Sequence, residues 1–363
     1  MTQALNKASG NSGTGDYLSS TRMQVNKITL AGTRMYCYDE SVARAFSEKG
    51  IKVDNIHYRR LTTLIENSPA ISRLKDIFNF FVHKIYIKDI LKSIPDSQLL
   101  VFFGSNKILR YNDLLRIKEK RKIFIIFWLI DSVNSTPDWK KIFTACDLIL
   151  CYNKDEADML SARSISSEFM PLAYDPFYYF PSEKYPKEMD VYYVGSISPR
   201  IDMLDIIAEK LLKERISFLI DGKLGFFKRM RYAMSGKYSH FRKCSSFKRR
   251  NHAQINVNTN KAKICLNIQP KQATSALNIR TYEIIGSGGF QLTDSTPVLD
   301  NLFLKDHHLS IYDTVDALIE KIKYFLEESE KRSQIALNGL EEAKNNHAFR
   351  CRIEFILKAI RTI

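Results

Sequence analysis

A chain of 363 residues with 45% hydrophobic content can bury more than one core, so two domains are expected. The longest apolar run, residues 123–130, falls well short of the roughly 18 residues a membrane span needs. The six cysteines form no Cys-x-x-Cys pair and the seven histidines no His-x-x-x-His or His-Glu-x-x-His cluster, which leaves disulfide scaffolds, zinc modules and metal catalysis without support and predicts reduced thiols.

Residues 1–22 are polar and rich in Gly, Ser and Thr, without an apolar signal-peptide core, and read as a disordered tail. Residues 27–32 then read as a strand ending in glycine, 39–49 as a helix with Val42, Ala45 and Phe46 on one face, and 51–56 as a second strand. A long helical stretch over 71–94 leads to a short apolar strand at 99–103, closed by Gly104. Next come a helix at 111–120, a buried strand at 122–129 and a helix at 137–145 with proline at its start. A strand at 148–151, a helix at 154–163 and a strand at 168–172 complete this half. The pattern restarts with a strand at 191–194, a helix at 199–214 and a strand at 216–220 that ends in Asp221-Gly222. Strands at 264–268, 290–293 and 309–312 follow, then helices at 314–328, 329–346 and 348–362.

Strands alternating with helices imply right-handed crossovers and parallel sheets. The predicted fold is α/β: two doubly wound, Rossmann-like domains over 23–174 and 190–347, facing each other across a cleft. The linker at 175–189 carries Pro176, Pro181 and Pro186, which suits a hinge. In such folds ligands bind at the carboxyl ends of the strands.

Residues 264–303 carry the densest chemical information. They read as a buried strand, a small-residue turn, a short helix, a glycine break and another strand, which puts a helix N-terminus at the carboxyl edge of a sheet. Backbone amides and the helix dipole there can hold a phosphate. Glu283 falls about one turn into the helix, and Gly288-Gly289 let the chain leave it tightly.

Leu277-Asn278-Ile279-Arg280, Tyr282-Glu283, Gly286 to Gly289, Thr293-Asp294-Ser295-Thr296-Pro297 and Leu302-Phe303 resemble the C-terminal domain of CgeB-type glycosyltransferases. That group is in turn similar to the retaining nucleotide-sugar transferases of GT-B architecture. The strand ending in Gly195-Ser196, the crossing from Pro171 to Pro176, and Arg332, Ala336, Gly339, His347 and Arg350 extend the likeness over 168–360; over 26–167 only the pattern agrees. The resemblance implies GT-B, with a final helix (348–363) crossing back to the N-terminal domain. It implies metal-independent transfer of a sugar from a nucleotide-diphosphate donor to a glycan, glycolipid or protein-linked acceptor, in cell-surface polysaccharide or glycoconjugate biosynthesis. No cofactor is expected beyond that co-substrate. The expected location is the cytoplasm, or peripherally the inner face of the cell membrane.

Without a metal, the leaving diphosphate must meet helix amides and fixed cations. The amides around Leu277, Asn278 and Ile279 are the main candidates, with Arg280 and Arg200 as cations; each arginine is alternatively a solvated helix residue. Glu283 matches the second member of the Glu pair with which the related enzymes bind the nucleotide ribose. The first member falls eight positions earlier on Ser275, a departure that removes the carboxylate expected on the donor sugar. Gly195 and Gly289 would allow close backbone approach, and Asn278 either caps the helix or touches phosphate. In the N-terminal domain, Trp128-Leu129-Ile130-Asp131 closes the buried strand at 122–129, and Asp131 is the candidate base or acceptor anchor, or else a loop residue capping amides.

Charge isolates one further segment. Residues 223–250 contain ten Lys/Arg and no Asp or Glu, so they carry +10 of the net +15. Leu224, Phe226, Phe227, Met230, Ala233 and Met234 fall at helical spacing between Lys228, Arg229 and Arg231, and Arg242 and Lys243 continue the mixture. Three readings stay open: docking on anionic lipid, an acidic polysaccharide or nucleic-acid groove, and a solvated face over an ordinary packed helix. A sugar-nucleotide epimerase or phosphorylase of the same architecture and a nucleic-acid-binding protein are the rival functions, but no helix-turn-helix or RNA-recognition signature supports the last.

Overall fold

The computed structural model describes residues 25–33, 37–58, 69–104, 109–270 and 275–361. The polar tail, Arg34, which the sequence could place at the cleft after the first strand, and part of the turn before the 275–289 segment lie outside these residues.

Eleven strands form two parallel sheets among the described residues. The first contains β1 (Lys27–Thr33), β2 (Lys52–Tyr58), β3 (Leu99–Phe103), β4 (Phe124–Trp128), β5 (Leu148–Cys151) and β6 (Ser167–Phe169), in the order β2-β1-β3-β4-β5-β6. The second contains β7 (Met189–Val194), β8 (Phe218–Asp221), β9 (Ala262–Asn267), β10 (Gln291–Asp294) and β11 (Ser310–Tyr312), in the order β11-β10-β9-β7-β8. Both are doubly wound, as the alternation predicts. In β3 and β5 every residue is buried, since helices cover both faces of a parallel sheet and the strands need no polar side. Val101 faces Ile126 in register, and Tyr192 faces Cys265.

The helix Phe349–Ala359 crosses back to the first sheet. Its Phe349, Ile353 and Ile356 join one core with Ile28, Leu30, Val101, Ile126 and Trp128. At about 1.5–3 kcal/mol per buried side chain, these three residues suffice to hold the helix in place. The crossing is also stapled by hydrogen bonds. Tyr174 N donates to His347 O and Phe349 N donates to Tyr174 O, both at 3.1 Å. The buried Arg352 guanidinium donates to the carbonyls of Pro171 (2.7 Å), Leu172 (2.9 Å) and Asn346 (2.7 Å).

Three local features add to or depart from the sequence reading. The proline-bearing linker is anchored to the second domain, where Phe180 N donates to Asn256 Oδ1 and Ser182 N to Asn260 Oδ1, at 3.1 and 2.8 Å. Those asparagines belong to a helix, His252–Lys261, that the sequence pattern does not reveal. Its Asn- and β-branched-rich run has poor helix propensity, but a reciprocal capping box between Asn251 and Gln254 starts it. The expected helix over 137–145 splits into a short helix, Trp139–Ile142, and the 3-10 turn Phe143–Ala145. All six cysteines are unpaired by disulfides.

Candidate active site

The carboxyl edges of the two sheets face each other, and cross-domain hydrogen bonds mark the junction. After β5, Lys154 N donates to Ser275 O at 2.9 Å, and Ser275 Oγ donates to Asp155. After β1, the helix Tyr38–Ser47 brings Tyr38 to Glu283, with the phenol donating to Oε1 at 3.0 Å. Ser275 therefore contacts the opposite domain at the position where related enzymes carry a carboxylate.

The helix Ile279–Gly286 rises from a turn fixed by side-chain amides. Asn278 is its N-cap: Oδ1 accepts from Thr281 N, while Nδ2 donates to Asn267 Oδ1 and Ile268 O. Gln269 Oε1 accepts from Asn278 N at 2.9 Å, and its Nε2 donates to Thr281 and Thr293 hydroxyls. Asn267, Gln269, Thr281 and Thr293 are all buried, so this satisfied network holds the turn rigidly. Leu277 is buried among Tyr282, Ile285 and Val298 and contributes packing and backbone rather than a side chain. The first-turn amides of Ile279 and Arg280 have no carbonyl one turn back within the helix, which is the general condition for an anion seat.

Glu283 is only 1% exposed. Besides Tyr38 it is paired with Arg280, one turn back on the same helix. Arg280 also reaches the Tyr179 oxygen at 3.4 Å, and the Tyr179 hydroxyl lies 2.6 Å from His252 Nδ1. Burial, the largest single influence, opposes the Arg280 charge, but the Glu283 carboxylate together with the Tyr179 and Tyr38 phenols raises the guanidinium's pKa. Burial, with Glu283 adding to it, pushes the Tyr179 phenol far up. Arg44 pairs with Asp175 and lies 3.9 Å from the Phe177 ring centroid; Tyr178 stacks on His252 at 4.9 Å. The expected free cation at Arg280 is thus half of an ion pair, and the expected ribose carboxylate is covered by a phenol from the other domain.

At β7, Gly195 N donates to Asp221 O, and a Cβ on the adjacent Gly222 would meet Gly195 O at 2.5 Å, so the turn is tight for internal reasons. Arg200 donates to Ser196 O at 3.4 Å beside it. Burial raises the Asp294 carboxyl above its ordinary range, against the Gln269 amide that it accepts and the Arg200 charge. Asp294 fixes the turn by accepting from Gln269 N at 2.7 Å. Gly289 does not face the cleft: a Cβ there would meet Thr259 Cγ2 at 2.8 Å, so its small size serves packing inside the second domain.

In the first domain Asp131 is exposed at the carboxyl edge of β4, close enough to raise the Tyr152 phenol, whose pKa burial and Glu156 push up to about 12. Glu156 holds the following turn by accepting from Ser132 Oγ and Val133 N. Sequence reasoning missed Tyr38, Arg44, Asp155, Tyr179, His252 and Gln269. The aromatic run 177–180 was the visible signal for Tyr179; the others carry no spacing that sets them apart.

Two doubly wound parallel sheets meeting across a cleft, with the last helix returned to the first, define the GT-B architecture of glycosyltransferases. Residues 200–358 match the family model described as Glycosyl transferase-like, and the chain is accordingly a glycosyltransferase by class. Sucrose-phosphate synthase from Thermosynechococcus elongatus is a similar structure, with a TM-score of 0.63 and 11% identity over 92% of this chain and 99% of that one. An α,α-trehalose-phosphate synthase (UDP-forming) from Burkholderia vietnamiensis gives 0.63 and 10% over 93% and 100%. Anabaena HepE in complex with UDP and glucose gives 0.61 and 10% over 93% and 100%. No curated protein matches the chain by sequence.

Proposed function

We propose that the protein moves a sugar from a uridine-diphosphate donor on the second domain to a hydroxyl acceptor on the first, in the manner of the CgeB-type subgroup. The carrying observation is the helix Ile279–Gly286, whose first turn sits at the carboxyl edge of the second sheet with Arg280 and Glu283 against it. The UDP complex of Anabaena HepE and the UDP-forming neighbour support the choice of base. In this reading the diphosphate rests on the Leu277 to Arg280 backbone, and Arg200 and Arg280 neutralise its charge in place of a metal. Glu283 accepts the ribose hydroxyls once Tyr38 leaves it. Gly195 lets the backbone approach the donor, and Asp131 orients the acceptor hydroxyl and takes its proton. The acceptor belongs to a glycan, glycolipid or protein-linked chain of the cell surface.

Thermal stabilisation by UDP, GDP, CDP, ADP and dTDP, each with magnesium or with chelator, tests the donor half. UDP at a hundred times its dissociation constant should add about 2.7 kcal/mol, equally in both conditions. Glu283→Gln should weaken the UDP response at least about tenfold, one lost hydrogen bond to a charged group. A folded protein unresponsive to all five nucleotides overturns the reading.

A further inference from the structure

The helix Phe226–Met234 exposes its apolar side. It buries none of its residues, and Phe226, Phe227 and Met234 are 66%, 85% and 84% exposed, with Met230 beside them. Phe227, Met230, Arg231, Met234 and Ser235 line a shallow apolar depression. At helical spacing Phe226, Phe227, Met230 and Met234 fall within roughly 100° of the circumference. Tyr232 lies on the opposite side and packs into the second domain's core, which aims the apolar face directly away from the protein. The solvated-face reading of this segment is therefore wrong: its outermost residues are aromatic and thioether side chains.

Cations border that face, and residues 223–250 themselves contain no acid. Arg229 and Arg231 flank it, with Lys223, Lys228, Lys237 and Lys243 also exposed nearby. Arg229 lies 4.2 Å from the Phe247 ring centroid, and Lys228 Nζ is 3.4 Å from Ser198 Oγ in the turn beside Arg200. A monomer seldom presents such an apolar cluster to water without a partner for it. Phe and Met at the tip with Lys and Arg around them match one partner chemistry, the anionic bilayer surface. There the apolar side chains enter the acyl boundary while the cations meet headgroup phosphates. A nucleic-acid groove would instead need stacking rings in a row along a cationic channel.

We propose that residues 223–250 dock the protein on anionic lipid, with Phe226, Phe227, Met230 and Met234 inserted. The docking stands on these residues alone. Its consequence, that the acceptor is an amphiphile presented at that surface, rests on the transferase reading above.

The full chain is mixed with vesicles of phosphatidylcholine alone or with about 30% phosphatidylglycerol, and bound protein is measured by flotation. Binding should require the anionic lipid and fall steeply between ~0.1 M and ~0.5 M salt, as screening shortens the reach of the cations. Phe227→Glu with Met234→Glu should lower the partition coefficient at least about tenfold, and Arg229→Gln with Arg231→Gln severalfold. The melting temperature and UDP response without vesicles should stay unchanged in both variants, separating this surface from the donor site. Absence of wild-type binding to anionic vesicles overturns the proposal, as does equal binding by the Glu variant. So does a wild-type dimer that the Glu variant converts to monomer without any vesicle binding, because a second copy then covers the face.

Discussion

Replacing Tyr38 by phenylalanine removes one atom, and the structure assigns that atom two opposed effects. The Tyr38 hydroxyl donates to Glu283 Oε1 at 3.0 Å from the opposite domain, onto a carboxylate that is almost fully buried. Hydrogen bonds to charged groups contribute about 1.5–3 kcal/mol, and the lower end applies here because Arg280 still pairs with Glu283. Tyr38→Phe should therefore lower unfolding stability by about 1.5 kcal/mol, measured by urea denaturation at neutral pH. If ribose hydroxyls replace the phenol on Glu283, the same free energy opposes donor binding in the wild type. Its removal should tighten the UDP dissociation constant by about tenfold, since 1.4 kcal/mol corresponds to that factor. Calorimetric titration of both proteins with UDP reads this directly. Lower stability with unchanged or weaker UDP binding refutes competition between Tyr38 and the ribose. Unchanged stability refutes the energetic value given to the bond itself.

Two further outcomes follow from the crossing between domains. A Cβ at Gly286 would lie 2.3 Å from the Tyr174 ring, so Gly286→Ala should cost about 1–3 kcal/mol of stability by overpacking, visible as a lower denaturation midpoint. His347 is buried, accepts from Arg352 at Nδ1 and faces Glu342 with Nε2, an arrangement that needs a neutral ring. Burial depresses its pKa below the ordinary 6.5, with the Arg352 charge adding and Glu342 opposing. Its stabilisation is thus fully present above 6.5 and is lost as the pH falls towards the lower folded value. His347→Asn, which keeps an acceptor for Arg352, should flatten the wild-type loss of stability between neutral and mildly acidic pH.

The architecture was legible because its determinants are local. Fully apolar runs such as 99–103 and 148–151, separated by helical spacing, leave little besides covered parallel strands. The same locality placed Glu283 one turn into a helix after β9. What covers Glu283 was not legible, because Tyr38 lies 245 residues away and a tyrosine after a strand has no distinctive spacing. The helix His252–Lys261 escaped for the opposite reason: its local propensity points away from helix, and tertiary bonds from Asn256 and Asn260 to the linker give those residues their place. In the basic segment the spacing gave an apolar face but not its direction. Tyr232 settles that, since burying it turns Phe227 and Met234 outward.

The buried polar groups at the junction fall into two kinds, and the difference bears on function. Around Asn267, Gln269, Asn278 and Thr281 each amide is engaged within the second domain, so the turn keeps its shape whether or not the domains touch. Glu283, by contrast, takes one of its hydrogen bonds from across the cleft, and Ser275 does the same through Lys154 and Asp155. If the domains separate, Glu283 loses the Tyr38 bond and keeps Arg280, while the first-turn amides of Ile279 and Arg280 keep their place. In the proposed donor pose a diphosphate needs only those amides, whereas the ribose needs Glu283 released from Tyr38. Pyrophosphate should consequently bind wild type and Tyr38→Phe alike, while UDP distinguishes them, which localises the cross-domain competition to the nucleoside half of the donor.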